Sequence, residues 1–156
     1  MSSVLPFSTG VFSQWHKCKF VIDNEEYNCA EQYMMACKAR LFNDQDMLIK
    51  IMSTSSPKEQ KEYGRQVKDF DEHVWYQHAE DVVYKGNLAK FGQNSHLKKK
   101  LLDTNNFILA EASAYDKIWG IGLSMSNPDI YDIKKWKGKN LLGKALMKVR
   151  DHLKHH

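Results

Sequence analysis

A carboxyl and an amine stand seven residues apart in the stretch from Tyr27 to Phe42, at Glu31 and Lys38. Seven residues make two helical turns, so both side chains project from about the same side, with backbones about 10 Å apart along the axis. Beside apolar residues such a pair can carry out acid/base and nucleophilic chemistry. The helix itself is predicted by apolar residues at helical spacing, namely Ala30, Tyr33, Met34, Cys37 and Leu41.

The same residues also have an ordinary structural interpretation. Asn28 followed three positions later by Glu31 is typical of a capping box, in which Glu31 accepts a bond from the backbone N–H of Asn28. A lysine in the middle of a helix is most often a solvated surface charge, as Lys38 would then be. Spacing alone favours structural roles for both residues, so the rest of the chain must decide.

A second stretch with residues suited to ligand binding is Tyr115–Gly122, which is predicted to be a loop. It combines the acid Asp116, the indole of Trp119 and two glycines, Gly120 and Gly122. Glycines let a ligand approach the backbone, and an indole can stack on a flat base. Taken alone, this stretch is better explained as a tight turn with a core tryptophan, and the two glycines lack the rest of a dinucleotide-binding fingerprint.

Positive charge in two places suits a phosphorylated ligand. Arg65 follows a glycine at a predicted helix end, where its guanidinium could bind a phosphate or could equally be an ordinary surface charge. Residues 94–156 hold 12 basic and 6 acidic residues, a net charge of +6, whereas residues 1–93 have a net charge of −2. A solvated lysine-rich surface is the commoner cause of such asymmetry, and the density is below that of a dedicated nucleic-acid arm.

Length and composition predict one domain over residues 1–156, long enough to bury a core. No long apolar run indicates a membrane span, and no signal-peptide pattern opens the chain. The three cysteines form no CxxC pair, so neither a zinc site nor a disulfide framework is expected, and a reducing cytoplasm suits them. The histidines at the end of the chain are typical of a frayed tail rather than a metal site.

The local patterns predict mostly helices. Residues 1–17 are expected to be an irregular lead-in, and Lys19–Tyr27 a hairpin turning at Asp23-Asn24. Asp44 and Ser56 are expected to cap short helices, and Asp71 a longer helix that continues to about Phe91 and carries Gly86 inside it. A further short helix after Asn94, a buried strand at Phe107–Glu111 and a last helix after Asn140 complete the prediction.

Motifs spread along the chain resemble the NADAR family, the YbiA-like N-glycosidases. Each motif is weak alone, but their order and spacing over about residues 12–153 are specific. They are Asn28-Cys29-Ala30-Glu31-Gln32-Tyr33-Met34, Gly64-Arg65-Gln66-Val67, Trp75, Lys90-Phe91-x-Gln93-Asn94, Leu109-Ala110-Glu111-Ala112-Ser113, Asp116-x-x-Trp119-Gly120-x-Gly122 and the stretch from Trp136 to Arg150.

The resemblance implies a mainly α fold: a compact, single-domain YbiA-like helical fold with a small β element. It implies hydrolysis of the N-glycosidic bond between a ribose and a nitrogenous group, in phosphorylated riboflavin-pathway intermediates or in ADP-ribosylated guanine. The family's catalytic residues fall on Glu31, Lys38, Trp75 and Asp116. Lys38 would be a nucleophile that forms a Schiff base, and Glu31 the acid/base. Residues expected to contact substrate are Trp15, Arg65, Trp119, Gly120 and Gly122.

The expected partners are a small phosphorylated ribosyl substrate or ADP-ribosylated nucleic acid, with no cofactor, no metal and no membrane. One position departs from the family: Gln14 stands where relatives carry asparagine, which bears on substrate choice if that asparagine contacts substrate but not on the reaction class. Two alternatives remain open. One is a non-catalytic ADP-ribose-binding module, which would need neither Glu31 nor Lys38. The other is an RNA-binding protein, which would need aromatics interleaved with its lysines.

Overall fold

The computed structural model describes residues 3–156 of the chain. Within them the secondary structure is mainly helical, with four short strands and two 3-10 turns, Pro128–Tyr131 and Ile133–Lys135. The helices are α1 (Ala30–Leu41), α2 (Gln45–Ser53), α3 (Pro57–Arg65), α4 (Glu72–Tyr76), α5 (Ala79–Gln93), α6 (Ser95–Leu102) and α7 (Leu141–Lys154). The strands are β1 (Val4–Phe7), β2 (Phe20–Ile22), β3 (Glu25–Tyr27) and β4 (Ile108–Glu111).

The chain divides into two compact units. One unit, the helical unit, is formed by Gln14–Asn94. The other, the terminal unit, joins the N-terminal residues up to Ser13 with Ser95–His156. The fold prediction of a mainly α protein with a small β element is confirmed, whereas the organisation as one domain stays a prediction.

Helix α1 lies at the centre of the helical unit, where it packs against α2, α3 and α5. Its residues are buried on almost every side, which explains why it lacks the polar face of a surface helix. An aromatic cluster anchors the β2–β3 hairpin to it: the Tyr27 ring lies 5.0 Å from that of Tyr33, and Phe20 packs on both. The hairpin turns at Asp23 and Asn24, both with positive φ, as the sequence predicts.

Two glycines let neighbouring helices approach α1 closely. A side chain at Gly86 of α5 would place its Cβ 2.8 Å from the ring of Tyr33, and one at Gly64 of α3 would overlap the Met35 side chain. Close packing of α5 against α1 therefore explains the glycine at position 86. Gly64 has a further consequence, because it brings the end of α3 with Arg65 close to α1.

In the terminal unit, β1 and β4 pair in parallel and carry a core of Val4, Ala110, Ile121, Leu123 and Ile130. The buried Asn140 fastens α7 to this sheet. Its Nδ2 donates to the carbonyl of Leu109 (2.9 Å), and its Oδ1 accepts from the backbone N–H of Glu111 (3.1 Å). Asn140 precedes α7 as expected, but its side chain bonds the strand and does not cap the helix.

Two predicted boundaries are wrong. The lead-in contains strand β1, which includes Pro6; a proline is tolerated here because this two-stranded sheet has only edge strands. The long helix expected from Asp71 is two helices, α4 and α5, since the N–H groups of Gln77 and His78 turn back to carbonyls three residues earlier. The apolar spacing continues across this break and cannot reveal it. None of the described helices is long and apolar enough to cross a membrane.

Candidate active site

The start of α1 is fixed by groups other than Glu31. Cys29 is the N-cap, and its Sγ accepts from the backbone N–H of Gln32 (3.4 Å). The backbone N–H of Asn28 donates to Gln32 Oε1 (2.8 Å). The capping bond that the structural interpretation assigned to Glu31 is therefore made by Gln32. The helix does not need the Glu31 carboxyl in order to begin.

A buried amide, Gln60 of α3, holds this helix start in place. Its Nε2 donates to Asn28 Oδ1 (3.0 Å) and to the carbonyl of Thr54 (2.9 Å), while its Oε1 accepts from Cys29 Sγ (3.0 Å). Burial raises the pKa of Cys29 to about 11, so at neutral pH the thiol keeps the proton that it donates. The network orients the first turn of α1, which carries Glu31.

Glu31 itself is 6 % exposed. Its backbone N–H donates to the carbonyl of Gln14 (3.0 Å), so the position that departs from the family pattern lies directly against the first turn of α1. The Gln14 side chain accepts from Asn87 Nδ2 (2.8 Å) and points its own amide at Met34 Sδ (3.9 Å). A glutamine here has one methylene more than the asparagine of relatives, and this extra length is accommodated between α1 and α5.

Lys38 is half-buried two turns further along α1. Its Nζ lies 4.3 Å from the centroid of the Phe70 ring. Burial, the largest effect, lowers the pKa of the Lys38 amine; the charge of Glu31 raises it, and that of Arg65 lowers it. The net lowering brings the amine nearer to the neutral form that a nucleophile requires.

Arg65, the last residue of α3, faces solvent close to Lys38. Its guanidinium has no carboxylate partner in residues 3–156. Two like charges beside each other are unfavourable, and an anion placed between them would relieve the repulsion. The structure thus brings together three predicted site residues of the helical unit: Glu31, Lys38 and Arg65.

The two tryptophans predicted for the helical unit have different surroundings. Trp15 is 42 % exposed, and the Nζ of Lys61 lies 6.0 Å from its ring centroid. Trp75 of α4 is 3 % exposed. An exposed indole beside a lysine offers a face for a flat, negatively charged ligand. A buried one can shape a cavity wall, although it has little free face on which a base could stack.

In the terminal unit, the loop at Asp116 is a turn stabilised by the Asp116 side chain. Asp116 Oδ1 accepts from the backbone N–H of Ile118 (3.0 Å) and from that of Trp119 (2.8 Å). The carboxylate therefore has a structural task whatever else it does. Because one oxygen serves both bonds, the turn needs an acceptor at this position rather than a negative charge.

The glycines of this loop are required by packing within the terminal unit. A Cβ at Gly120 would lie 2.9 Å from the carbonyl oxygens of Asp116 and Glu111. Gly122 has φ +73°, and a Cβ there would lie 3.0 Å from that of Lys137. These contacts account for both glycines without a ligand. Their role as substrate-binding residues stays a prediction.

Two further residues of the helical unit are not among the predicted site residues. Lys90 of α5 is fully buried, and burial lowers the pKa of its amine to about 8, an effect that the thiols of Cys18 and Cys29 partly oppose. Its helical spacing from Val83 and Gly86 on the buried side of α5 is a signal that could have found it. Phe70, whose ring lies under the Lys38 amine, is in the segment between α3 and α4. Helical spacing therefore cannot predict its position. No cluster of metal-binding side chains occurs among residues 3–156.

The model of the NADAR domain matches residues 6–154, nearly the whole chain. The chain belongs to the NADAR family. N-glycosidase R617 of Acanthamoeba polyphaga mimivirus is 47 % identical, and the match covers 90 % of this chain and 86 % of that protein. N-glycosidase YbiA of Escherichia coli is 31 % identical over 92 % of this chain and 81 % of its own length.

A NADAR fold is also supported by a solved structure. The NMR structure of the E. coli protein YbiA superimposes with a TM-score of 0.80 at 28 % identity, over 99 % of this chain and 88 % of that one. A third relative, the maize riboflavin biosynthesis protein PYRR, is 31 % identical over 92 % of this chain but only 23 % of its own length. The names of the two N-glycosidases confirm the predicted enzyme class, a glycoside hydrolase acting on N-glycosyl compounds.

Proposed function

We propose that this NADAR protein hydrolyses the N-glycosidic bond of a phosphorylated N-ribosyl compound, with Glu31 as the acid/base and Lys38 as a nucleophile that forms a Schiff base. The substrate is a riboflavin-pathway ribosylaminopyrimidine phosphate or an ADP-ribosylated guanine. The observation that carries the proposal is the half-buried Lys38 amine, with its lowered pKa, on the same helix as the buried Glu31 carboxyl.

The reaction starts with proton transfer. An ordinary lysine is almost wholly protonated at neutral pH, with a pKa of about 10.4, so Lys38 must lose a proton before it attacks. Burial favours that loss. In the empty enzyme the Glu31 carboxylate opposes it by stabilising the ammonium, but the same carboxylate is also a base that can accept the proton once substrate excludes water.

The covalent step then exchanges one C–N bond for another. The amine of Lys38 adds to the anomeric carbon, the bond to the leaving nitrogen breaks, and that nitrogen takes the proton held by Glu31. The Lys38 nitrogen returns one proton to Glu31, which passes it to the ring oxygen as the sugar ring opens and leaves a protonated imine. Water adds to the imine carbon, the amine departs, and the released sugar closes again.

The positive charges have a separate task. Arg65 is exposed and has no acidic partner within the described part of the chain, so its guanidinium is available for a phosphate of the substrate. Trp15, 42 % exposed, offers a face for the leaving base. On the family motif, we assign to Asp116 the stabilisation of the positive charge that develops on the sugar.

The test is to incubate the protein separately with a ribosylaminopyrimidine phosphate and with ADP-ribosylated guanosine, and to follow free ribose phosphate and free ADP-ribose. We expect release from at least one, abolished in Lys38→Ala and kept in Lys58→Ala, which removes an exposed lysine of α3. Tight binding without release in the wild-type protein would contradict the proposal. It would favour a non-catalytic ADP-ribose-binding module.

A further inference from the structure

The ring beneath the Lys38 amine belongs to Phe70, a residue for which neither the sequence nor the family pattern assigns a role. At 4.3 Å from the ring centroid, the Nζ is well within the range of a cation–π contact. Phe70 also meets Phe42 edge to face, with centroids 5.6 Å apart. Lys38 therefore ends over a ring from the segment that joins α3 to α4, and the C-cap residue of α1 packs against that ring.

The position of Phe70 is fixed by hydrogen bonds and backbone geometry in the segment that precedes it. The buried carboxylate of Asp44 caps α2 through the backbone N–H of Met47 (3.1 Å) and accepts from the backbone N–H of Lys68 (2.8 Å). Val67 is buried beside this bond, and Asp69 has φ +55°. These features direct the segment so that Phe70, 43 % exposed, covers the end of the Lys38 side chain.

We propose that Phe70 is a positioning residue whose ring holds Lys38 as an ammonium in the empty enzyme and gives it up when substrate enters. The inference rests on the proposed role of Lys38 as the reacting amine. A ring face attracts the ammonium and has no comparable attraction for the neutral amine. Phe70 thus raises the pKa of the Lys38 amine, as Glu31 does, whereas burial and Arg65 lower it.

This arrangement has a chemical consequence. A neutral amine in an open site would form imines with any small aldehyde, whereas an ammonium does not react. Because the Phe70 ring is partly exposed, an incoming sugar can displace the ammonium from it. The loss of the ring contact on binding would then lower the pKa of Lys38 at the moment when the amine is needed.

The sign of the change in the pKa of Lys38 distinguishes a ring that holds the ammonium from a side chain that only shields the amine from water. If Phe70 only excluded water, its replacement by a smaller apolar side chain would hydrate the ammonium and raise the pKa of Lys38. If the ring holds the ammonium, replacement by leucine removes the π-face while keeping apolar cover, and the pKa falls. We expect Phe70→Leu to lower it by about half a pH unit, the size of a partly exposed cation–π contact.

The measurement is competitive acetylation of the substrate-free protein with isotopically labelled acetic anhydride between pH 6 and 11, with Lys38 quantified by peptide mass spectrometry. Phe70→Tyr, which keeps a π-face, should restore the wild-type titration. Phe42→Leu, the same change in the neighbouring ring, should leave it unchanged. Phe70→Met provides a second variant without a ring, should Phe70→Leu fold poorly.

A Lys38 titration that is unchanged or moved to higher pH in Phe70→Leu, or in Phe70→Met should Phe70→Leu not fold, would overturn the proposal. This labelling does not depend on turnover, so it can be judged even if the proposed function fails. In the active enzyme, the acid limb of the pH profile of kcat/KM should move in the same direction as the labelling. If the pKa of Lys38 from labelling shifts but the acid limb of the kcat/KM profile does not, Phe70 still stabilises the Lys38 ammonium. Lys38 would then not be the reacting amine.

Discussion

Two turns of α1 separate Glu31 from Lys38, and the carboxylate opposes the effect of burial on the amine. Burial lowers the pKa of Lys38, and the charge of Glu31 raises it. Burial alone would favour the neutral amine, and the carboxylate alone would favour the charged ammonium. The opposition leaves a protonation state that substrate binding can change, which is what a nucleophilic lysine beside an acid/base requires.

Glu31→Gln should abolish most turnover, by a factor of about 100 or more, because an amide cannot exchange a proton. It should also lower the pKa of Lys38 further, since the charge that raises it is gone. Steady-state kinetics and acetylation of Lys38 measure the two effects. Glu80→Gln, which changes a first-turn glutamate of α5, is the matched control. A fully active Glu31→Gln enzyme would show that this carboxyl is not the acid/base.

Arg65→Ala should raise KM for phosphorylated substrates about tenfold or more, since a charge-assisted contact is lost, and should affect kcat less. The pKa of Lys38 should rise, because Arg65 lowers it. KM determined at several salt concentrations, compared with Lys58→Ala at the other end of α3, checks the first effect. An unchanged KM at every salt concentration would remove Arg65 from the substrate site.

The two roles of Asp116 can be separated by a pair of variants. Asp116→Asn keeps an acceptor for the N–H groups of Ile118 and Trp119 but removes the charge, so it should fold normally and turn over more slowly. Asp116→Ala should also lose about 1 kcal/mol of stability with the turn bonds. Turnover and thermal unfolding measure both. If Asp116→Asn is as active as wild type, the residue serves the turn alone.

Lys90 should make the stability of the protein depend on alkaline pH. Its pKa is lowered to about 8 in the folded state from 10.5, so the unfolded chain binds more protons between these values and folding gains stability as pH rises through them. Wild type should gain up to about 3 kcal/mol relative to Lys90→Met over this range. Urea unfolding at pH 7.5 and 10 checks this. If the free energies of unfolding of wild type and Lys90→Met change by the same amount between these pH values, the pKa of Lys90 is not lowered by folding.

Sequence patterns predict best where one local rule dominates. The caps at Asp44 and Ser56 are made as expected, as is the hairpin turn at Asp23-Asn24, because each depends on neighbours in the chain. The break between α4 and α5 and the strand β1 depend on tertiary packing, and the local pattern carries no sign of either. For the same reason the N-cap of α1 is Cys29 rather than Asn28, since Cys29 is held by a hydrogen bond to Gln60 from another helix.

The candidate site is predicted in the same uneven way. Helical spacing is enough to place Glu31 and Lys38 on one flank, and the family motif supplies the chemistry. Spacing cannot give the burial of Lys38, the approach of Arg65 past Gly64, or the ring of Phe70 under the amine, since these come from α3 and from the segment after it. These long-range contacts are the ones that tune the pKa of the amine.

Reductive trapping is the sharpest test of the covalent role of Lys38. Borohydride added during turnover should reduce the imine to a stable amine, and intact mass with peptide mapping should place the added ribosyl group on Lys38. Lys38→Ala should give no adduct and little turnover, and Lys38→Arg should keep the charge without the attack. Normal turnover by Lys38→Arg, or an adduct that maps elsewhere, would contradict the covalent mechanism and favour direct attack by water.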